Sequence, residues 1–160
     1  MNSSDAAPGA PTATAEPSTI DMALEVVQLP VSDIDRAKRF YQSLGWRFDI
    51  DLVVSEDIRT VQFTPPHSGC SIQFGKGGTT AQPGSAQGLI LVVSDIDAAR
   101  DDLISRGVEV SEVQEARPPG FDPPEGERSY FARASFGDPD GNRWVLQEVT
   151  TRLPGREWED

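Results

Sequence analysis

The sequence predicts an α+β fold in which two tandem βαβββ modules form a curved mixed sheet around a cleft. The first observation is an internal repeat, because residues 31–45 recur as residues 93–107 with eight identities in register. The second is that each copy follows a short β-branched stretch and carries apolar residues at helical spacing. The third is that three strand-like stretches follow each helix. Two facing copies of one supersecondary unit enclose a space between them.

The first module is predicted to span residues 22–75. A strand over residues 23–31 leads into a helix capped by Ser32 or Asp33 and stopped by Gly45. Strands over residues 46–54, 57–63 and 70–74 complete the module. The last two are joined by a turn rich in Pro, Ser and Gly at residues 64–69.

A linker over residues 76–87 separates this module from the second, residues 88–150. The second module is predicted to contain a strand over 88–93, a helix over 96–106 and strands over 108–113, 130–136 and 142–148. A tight turn at 138–141 joins the last two strands. The longer connection at 117–128 is typical of a binding lid or of mobile surface. We predict a disordered tail over residues 1–21 and a C-terminal tail over residues 151–160.

Composition limits the partners of the chain. The net charge of -12 repels phosphate backbones and anionic lipid, and no basic stripe offsets it, so nucleic acid and membranes are not expected partners. We find neither a run of about 18 apolar residues nor a secretory signal, which predicts a cytoplasmic protein. Cys70 is the only cysteine, which excludes an internal disulfide and a thiolate cluster.

Three motifs carry a resemblance to a known family. Val-Ser-Asp-Ile-Asp opens both helices, Phe40-Tyr41 and Leu44-Gly45 close the first, and Asp-Pro-Asp-Gly-Asn at 138–142 precedes the last strand. With these motifs, residues 23–148 resemble the vicinal oxygen chelate superfamily, which includes glyoxalase I, extradiol dioxygenases and bleomycin-resistance proteins. The resemblance implies the fold predicted above. It implies no single activity, because the superfamily contains isomerases, epimerases, transferases, oxygenases and proteins that only bind a drug.

The resemblance also indicates where a metal ion would bind. Enzymes of this superfamily hold a divalent ion through one residue from the first and one from the last strand of each module, and the ion acts as a Lewis acid on two substrate oxygens. The corresponding positions in this chain are occupied by Val26, Gln73, Gly88 and Val145. Only Gln73 has a lone pair to offer a metal.

The strand register decides whether other ligands are available. A shift by one residue would aim Glu25 and Glu148 at the cleft. The same shift would expose Leu29, Trp144 and Leu146, each at a cost of about 1.5 to 3 kcal/mol. We therefore predict the unshifted register, no standard metal site and no cofactor. In this register nine residues line the cleft: Val26, Gln28, Ser71, Gln73, Ile90, Val92, Arg143, Val145 and Gln147.

This lining is apolar with a few polar groups, as is typical of a pocket for a small organic ligand. The alternative is that these side chains fill a closed core between the modules, for which three glutamines and an arginine are poorly suited. Arg143 would pair with a ligand carboxylate or phosphate, or else form an intramolecular salt bridge.

Other candidate residues have structural explanations. His67, the only histidine, is a possible general base, but its Pro, Ser and Gly neighbours predict an exposed turn. Cys70 is expected to be a small buried hydrophobic residue rather than a nucleophile. Trp46 and Trp144 are predicted to pack between helix and sheet.

Four aspartates resemble paired carboxylates but suit the caps and first turns of the two helices better. They are Asp33, Asp35, Asp95 and Asp97. In the long connection, Phe121, Arg128 and Tyr130 are placed where they could close over a bound ring.

Two functional hypotheses follow. The first is a metal-free, glyoxalase-like and bleomycin-resistance-like protein that binds a small organic molecule in the inter-module cleft, to sequester or carry it. The second is an enzyme of the same superfamily, of the lyase, isomerase or dioxygenase type, that is metal-independent or has a non-standard metal site. The absent ligand residues favour the first. Members of the superfamily often dimerise, so we expect a homodimer, with modules paired within or between chains.

Overall fold

The computed structural model describes residues 15–120 and 126–153 of the chain. The first module contains β1 (Val26–Gln28), α1 (Ile34–Ser43), β2 (Arg47–Ser55), β3 (Ile58–Thr64) and β4 (Ser71–Lys76). The second contains β5 (Leu89–Val93), α2 (Ile96–Ser105), β6 (Gln114–Glu115), β7 (Ala132–Gly137) and β8 (Arg143–Glu148). The predicted α+β class and the tandem βαβββ modules are therefore confirmed.

Each module forms a four-stranded mixed sheet of its own. The strand orders are β1-β4-β3-β2 and β5-β8-β7-β6, so the two sheets have the same topology. β1 runs parallel to β4 and β5 runs parallel to β8, whereas the other neighbours are antiparallel. The predicted curved sheet around a cleft is thus divided between two separate sheets in the described part of the chain.

Both helices begin at the predicted aspartates. The side chains of Asp33 and Asp95 each accept a hydrogen bond of 3.0 Å from the backbone N–H three residues later. Asp35 and Asp97 lie in the first turns, where each forms an ion pair of 2.9 Å with an arginine. The structural explanation of these four carboxylates is confirmed. Among the described residues, no helix has the length and apolar character that a membrane span requires.

One predicted strand is wrong. Residues 108–113 form no strand, and only the two residues of β6 extend the second sheet beyond β7. The backbone N–H of Ser111 donates to the carbonyl of Ser135 at 2.9 Å, but the hydroxyl of Ser111 then accepts from the Ser135 N–H at 2.9 Å. A side-chain oxygen takes the place of a strand carbonyl here, which interrupts the ladder.

The helix-covered faces of the two sheets pack into one shared core. Its fully buried members come from both modules and include Leu29, Tyr41, Val61, Phe63, Phe74, Ile96 and Ala132. Trp46 and Trp144 are buried in the same core, and their ring centroids lie 5.2 Å apart in an edge-to-face arrangement. The predicted packing of both tryptophans is confirmed. Because one face of each sheet is used for this core, the opposite faces lie outside it and carry both exposed and buried side chains.

A buried polar cluster joins the modules within that core. The carboxylate of Asp138 accepts hydrogen bonds from the Tyr41 hydroxyl and the Asn142 side-chain amide, both at 2.8 Å, and from two backbone N–H groups of its own turn. The Tyr41 oxygen in turn accepts from the indole N–H of Trp144 at 3.0 Å. The amide of Asn142 also donates to the carbonyl of Pro30 at 2.8 Å. The turn at 138–141 therefore fixes the second module to the first.

This cluster predicts a loss of stability at alkaline pH. Burial, reinforced by the charge of Asp138, raises the pKa of the Tyr41 phenol far above its ordinary value of about 10. The folded chain holds this proton more tightly than the unfolded chain, so stability is fully present below pH of about 10 and falls as the pH rises beyond it. We expect tyrosinate absorbance from Tyr41 only together with alkaline unfolding, and a Tyr41→Phe variant should lack that contribution. Ionisation of Tyr41 while tryptophan fluorescence stays native would contradict this assignment.

Candidate functional site

Four of the nine predicted site residues lie side by side on the sheet surface opposite the core in the first module. The parallel pairing of β1 and β4 places Val26 beside Ser71 and Gln28 beside Gln73. Leu29, the next residue after Gln28, is buried in the core, as the alternation of side chains along a strand requires. We call this surface the first open face.

A chain of side-chain amides crosses the first open face. The Gln28 amide N–H donates to the Gln73 carbonyl at 2.6 Å, and the Gln73 amide N–H donates to the Gln62 carbonyl at 2.7 Å. The Gln62 amide N–H then donates to a carboxylate oxygen of Asp49 at 3.0 Å. Each amide donates to the next in the direction of Asp49. The side-chain carbonyl oxygen of Gln28, at the far end of this row of amides, therefore receives none of these hydrogen bonds.

Asp49 anchors this chain of amides. Burial opposes the charge on its carboxyl, but hydrogen bonds from Arg47, Thr64 and Gln62 outweigh burial and hold the pKa below its usual range. The hydroxyl of Thr64 also contacts the Ser71 hydroxyl, with their oxygens 2.7 Å apart. Asp49 therefore stays ionised at neutral pH and fixes the direction of the amides.

Asp49, Gln62 and Thr64 are not among the predicted site residues, because the prediction covers only the first and last strands of each module. A signal was present in β3, where polar Gln62 and Thr64 alternate with the buried residues Val61 and Phe63. Such alternation puts the polar residues on the first open face.

The other five predicted residues lie on the corresponding surface of the second sheet, the second open face. The parallel pairing of β5 and β8 places Ile90 beside Val145 and Val92 beside Gln147. Ile90 is 49% exposed and Val92 is 42% exposed, so these aliphatic side chains are left in contact with solvent in the single chain. Gln147 is buried.

Arg143 is the charged member of the second open face. Its side chain is exposed and donates to the Ser135 hydroxyl at 3.0 Å. Among the described residues it has no carboxylate within ion-pair distance, so the intramolecular salt bridge considered from the sequence does not form there. The guanidinium therefore lies on the second open face with Ser135 as its hydrogen-bond partner and without an internal carboxylate among the described residues.

The two open faces occupy equivalent positions in the repeat but differ in chemistry. Gln28 and Gln73 of the first sheet form the same strand pair as Ile90 and Val145 of the second. Hydrogen-bonding amides on one face thus correspond to aliphatic side chains on the other. The structure brings the nine predicted residues together as two separate groups, of four and of five, on surfaces turned away from the shared core.

Comparison with known families bears on this arrangement. The family model of the Glyoxalase/Bleomycin resistance protein/Dioxygenase superfamily matches residues 23–146. The chain belongs to this superfamily. The match covers both modules, and the resemblance inferred from the repeated motifs is confirmed.

Solved structures of the superfamily show the same fold. TnmS3, an antibiotic binding protein from Streptomyces sp. CB03234, is 28% identical with a TM-score of 0.66, over 83% of this chain and 100% of that one. A glyoxalase/bleomycin resistance protein from the same organism is 30% identical with a TM-score of 0.60, over 78% and 99%. A superfamily member from Sphaerobacter thermophilus DSM 20745 is 28% identical with a TM-score of 0.63, over 80% and 98%. A comparison with curated proteins gives no significant match.

The residues at the metal positions of the superfamily do not fit a metal ion. Val26, Gly88 and Val145 have no side-chain lone pair, and the carbonyl of Gln73 already accepts from Gln28. Glu148 lies on the core side of its strand, where it is buried and accepts from the backbone N–H that opens α2. In the described residues, no group of three or more His, Cys, Asp or Glu side chains is close enough to hold an ion.

His67 lies in the exposed turn predicted from the sequence, whereas Cys70 is less buried than predicted. His67 is exposed in the turn between β3 and β4, with a positive φ of 62°, so its prediction as a turn residue is confirmed. Cys70 is half-buried, and its thiol contacts the carbonyl of Ser71 at 3.6 Å. Neither side chain lies on the open faces.

The proposed lid residues divide into three cases. Phe121 lies outside the described residues. Arg128 forms an ion pair of 2.9 Å with Asp97, which holds it against α2. Tyr130 has a positive φ of 68°, an uncommon conformation for a large side chain, and its carbonyl accepts from the Gln147 amide at 2.9 Å. Tyr130 is therefore the member held beside the second open face.

Proposed function

We propose that this protein binds a small organic molecule without a metal ion and sequesters or carries it. The ligand lies between the first open face of one copy and the second open face of another copy in a homodimer. The observation that carries this proposal is that one chain displays both walls of a pocket, one hydrogen-bonding and one aliphatic, on surfaces that do not face each other. The proposal includes a cytoplasmic location, with which the unpaired thiol of Cys70 is compatible.

Exposed aliphatic side chains favour a second copy as the other wall. On the first open face, Ile50 and Leu52 of β2 are 39% and 47% exposed, next to Gln62 and Thr60 of β3. Contiguous exposed apolar surface marks an interaction site. A two-fold axis that places the first open face of one copy on the second open face of its partner also places the partner's first open face on the second open face of the first copy. One symmetric contact therefore covers all four faces and creates two pockets.

The chemistry of the walls favours binding over catalysis. Their polar groups are amides, hydroxyls and guanidinium groups, which do not exchange protons near neutral pH. Asp49, the carboxylate of these walls within residues 15–120 and 126–153, has both oxygens engaged by hydrogen bonds. The similarity to TnmS3, an antibiotic binding protein, supports the same conclusion.

A neutral fluorescent probe tests the pocket. N-phenyl-1-naphthylamine should bind with a stoichiometry of one dye per chain in the dimer, because an apolar ring system suits the aliphatic wall. The Val145→Trp variant should lose most of this binding, since an indole would fill the half-buried site of a small side chain. Ile104→Trp is the matched control, because Ile104 is 44% exposed on α2, away from both faces. Equal binding by the Val145→Trp variant and the wild type would contradict the proposed pocket.

A further inference from the structure

We infer that the ligand is an organic anion whose acidic group is bound by Arg143 and Ser135, with its apolar body against Ile90, Val92 and Val145. The inference rests on the proposed function and adds the chemical class of the ligand. It follows from the state of the arginines, from the donors at the second open face and from the charge of the chain.

Half of the twelve arginines of this acidic chain are in ion pairs among the described residues. The chain carries 26 Asp and Glu against 14 Lys and Arg, so carboxylates are abundant. Six arginines lie within ion-pair distance of one: Arg36, Arg47, Arg59, Arg106, Arg117 and Arg128. Arg133 and Arg143 are both exposed on the second open face and have no such partner among the described residues. Arg39 and Arg100, on the helices, also lack a carboxylate partner among the described residues, but Arg133 and Arg143 are the two that lie on the proposed wall of the pocket.

The donors around Arg143 select an acceptor group. Its guanidinium donates to the Ser135 oxygen at 3.0 Å, which leaves the Ser135 hydroxyl hydrogen free to donate, since no acceptor for it lies among the described residues. The guanidinium retains further N–H groups for the open face. A guanidinium and a hydroxyl hydrogen side by side present only donors, which suits a carboxylate, sulfonate or phosphate oxygen.

Arg133 adds a second positive charge to the second open face. It lies opposite Gln147 on this face, whereas Arg143 lies opposite Gly137. The four residue steps from Arg143 to Gln147 span about 13 Å of strand, so one arginine lies at each end of the face. Two unpaired positive charges focus an anion there although the chain as a whole is negative. The aliphatic side chains between them provide the surface for an apolar body.

A carboxylate of the second copy is the competing partner for Arg143. Asp49 is the carboxylate that the described part of the first open face would offer, but each of its oxygens already accepts hydrogen bonds within its own module. An ion pair across the dimer would require that set of bonds to break. The ligand is therefore the better partner for the free donors.

Two dyes with the same ring system test the inference. 8-Anilinonaphthalene-1-sulfonate differs from N-phenyl-1-naphthylamine by one sulfonate. For both dyes, binding at the pocket is taken as the part of the binding that the Val145→Trp variant loses. Arg143→Gln should weaken binding of the sulfonate about tenfold, as expected for loss of a charge-assisted hydrogen bond, and should change binding of the neutral dye less than about twofold. Ser135→Ala should weaken binding of the sulfonate dye by a smaller factor. Arg39→Gln, an exposed unpaired arginine on α1, is the charge-matched control and should change neither affinity.

The outcomes separate this inference from the proposed function. If the neutral dye binds at the pocket and Arg143→Gln leaves the sulfonate unaffected, or weakens both dyes equally, the anion class is wrong and the pocket stands. If neither dye binds, the proposed function fails and the inference fails with it. If Arg143→Gln dissociates the dimer in sedimentation, the arginine pairs with the second copy, and the inference is overturned.

Discussion

Replacing Asp138 by alanine should lower the free energy of unfolding by about 3 to 5 kcal/mol, because several buried donors lose their acceptor at once. The Tyr41 hydroxyl, the Asn142 amide and two backbone N–H groups all donate to this carboxylate, in a region with almost no solvent. A loss of this size is a large part of the total stability of a domain and should lower the melting temperature by roughly 10 to 20 °C. Urea unfolding followed by tryptophan fluorescence measures the change.

Asp102→Ala is the control for removal of a carboxylate. Asp102 is exposed on α2 and pairs with Arg106 one turn later, so its loss should cost no more than about 0.5 kcal/mol. Equal losses for Asp138→Ala and Asp102→Ala would show that the buried cluster does not hold the modules together.

Val92→Glu should abolish both dimerisation and dye binding while leaving the single chain folded. Val92 is 42% exposed in the single chain, so a carboxylate there stays hydrated and costs little. In the proposed dimer the same position is enclosed against the first open face of the partner, where a buried charge without a partner costs several kcal/mol. We expect the dissociation constant of the dimer to rise by at least about a hundredfold, measured by sedimentation equilibrium.

Ile104→Glu is the matched control for this change. Ile104 is similarly exposed, at 44%, but lies on α2 away from the open faces, so the variant should dimerise and bind dye as the wild type does. A Val92→Glu variant that remains a dimer with full dye binding would contradict an interface at the second open face.

The fold could be predicted because the repeat, the helix caps and the alternation along the strands all indicated the same arrangement. The repeat defined the modules, Asp33 and Asp95 marked the helix starts, and alternation set the strand register. The predicted strand at 108–113 failed because the Ser111 hydroxyl replaces a ladder hydrogen bond, which apolar alternation does not reveal.

The candidate site was harder to predict for two reasons. The sequence places Gln28 and Gln73 on one face, but the direction of their hydrogen bonds depends on Asp49. Asp49 lies where the register between β2 and β3 shifts, and strand alternation does not predict such a shift. The alternation in each strand also leaves open which faces of the two sheets meet. The buried Tyr41, Asp138 and Trp144 decide that the helix-covered faces meet within one chain.

A count of pockets in a mixed dimer tests most directly whether each pocket forms between two copies of the chain. Gln73→Trp blocks the first open face and Val145→Trp blocks the second, so each variant alone should bind no N-phenyl-1-naphthylamine. In a heterodimer isolated through two different affinity tags, both blocked faces meet in one pocket and both intact faces meet in the other. We expect one dye per heterodimer against two per wild-type dimer, and a heterodimer that binds no dye would contradict a pocket formed between copies.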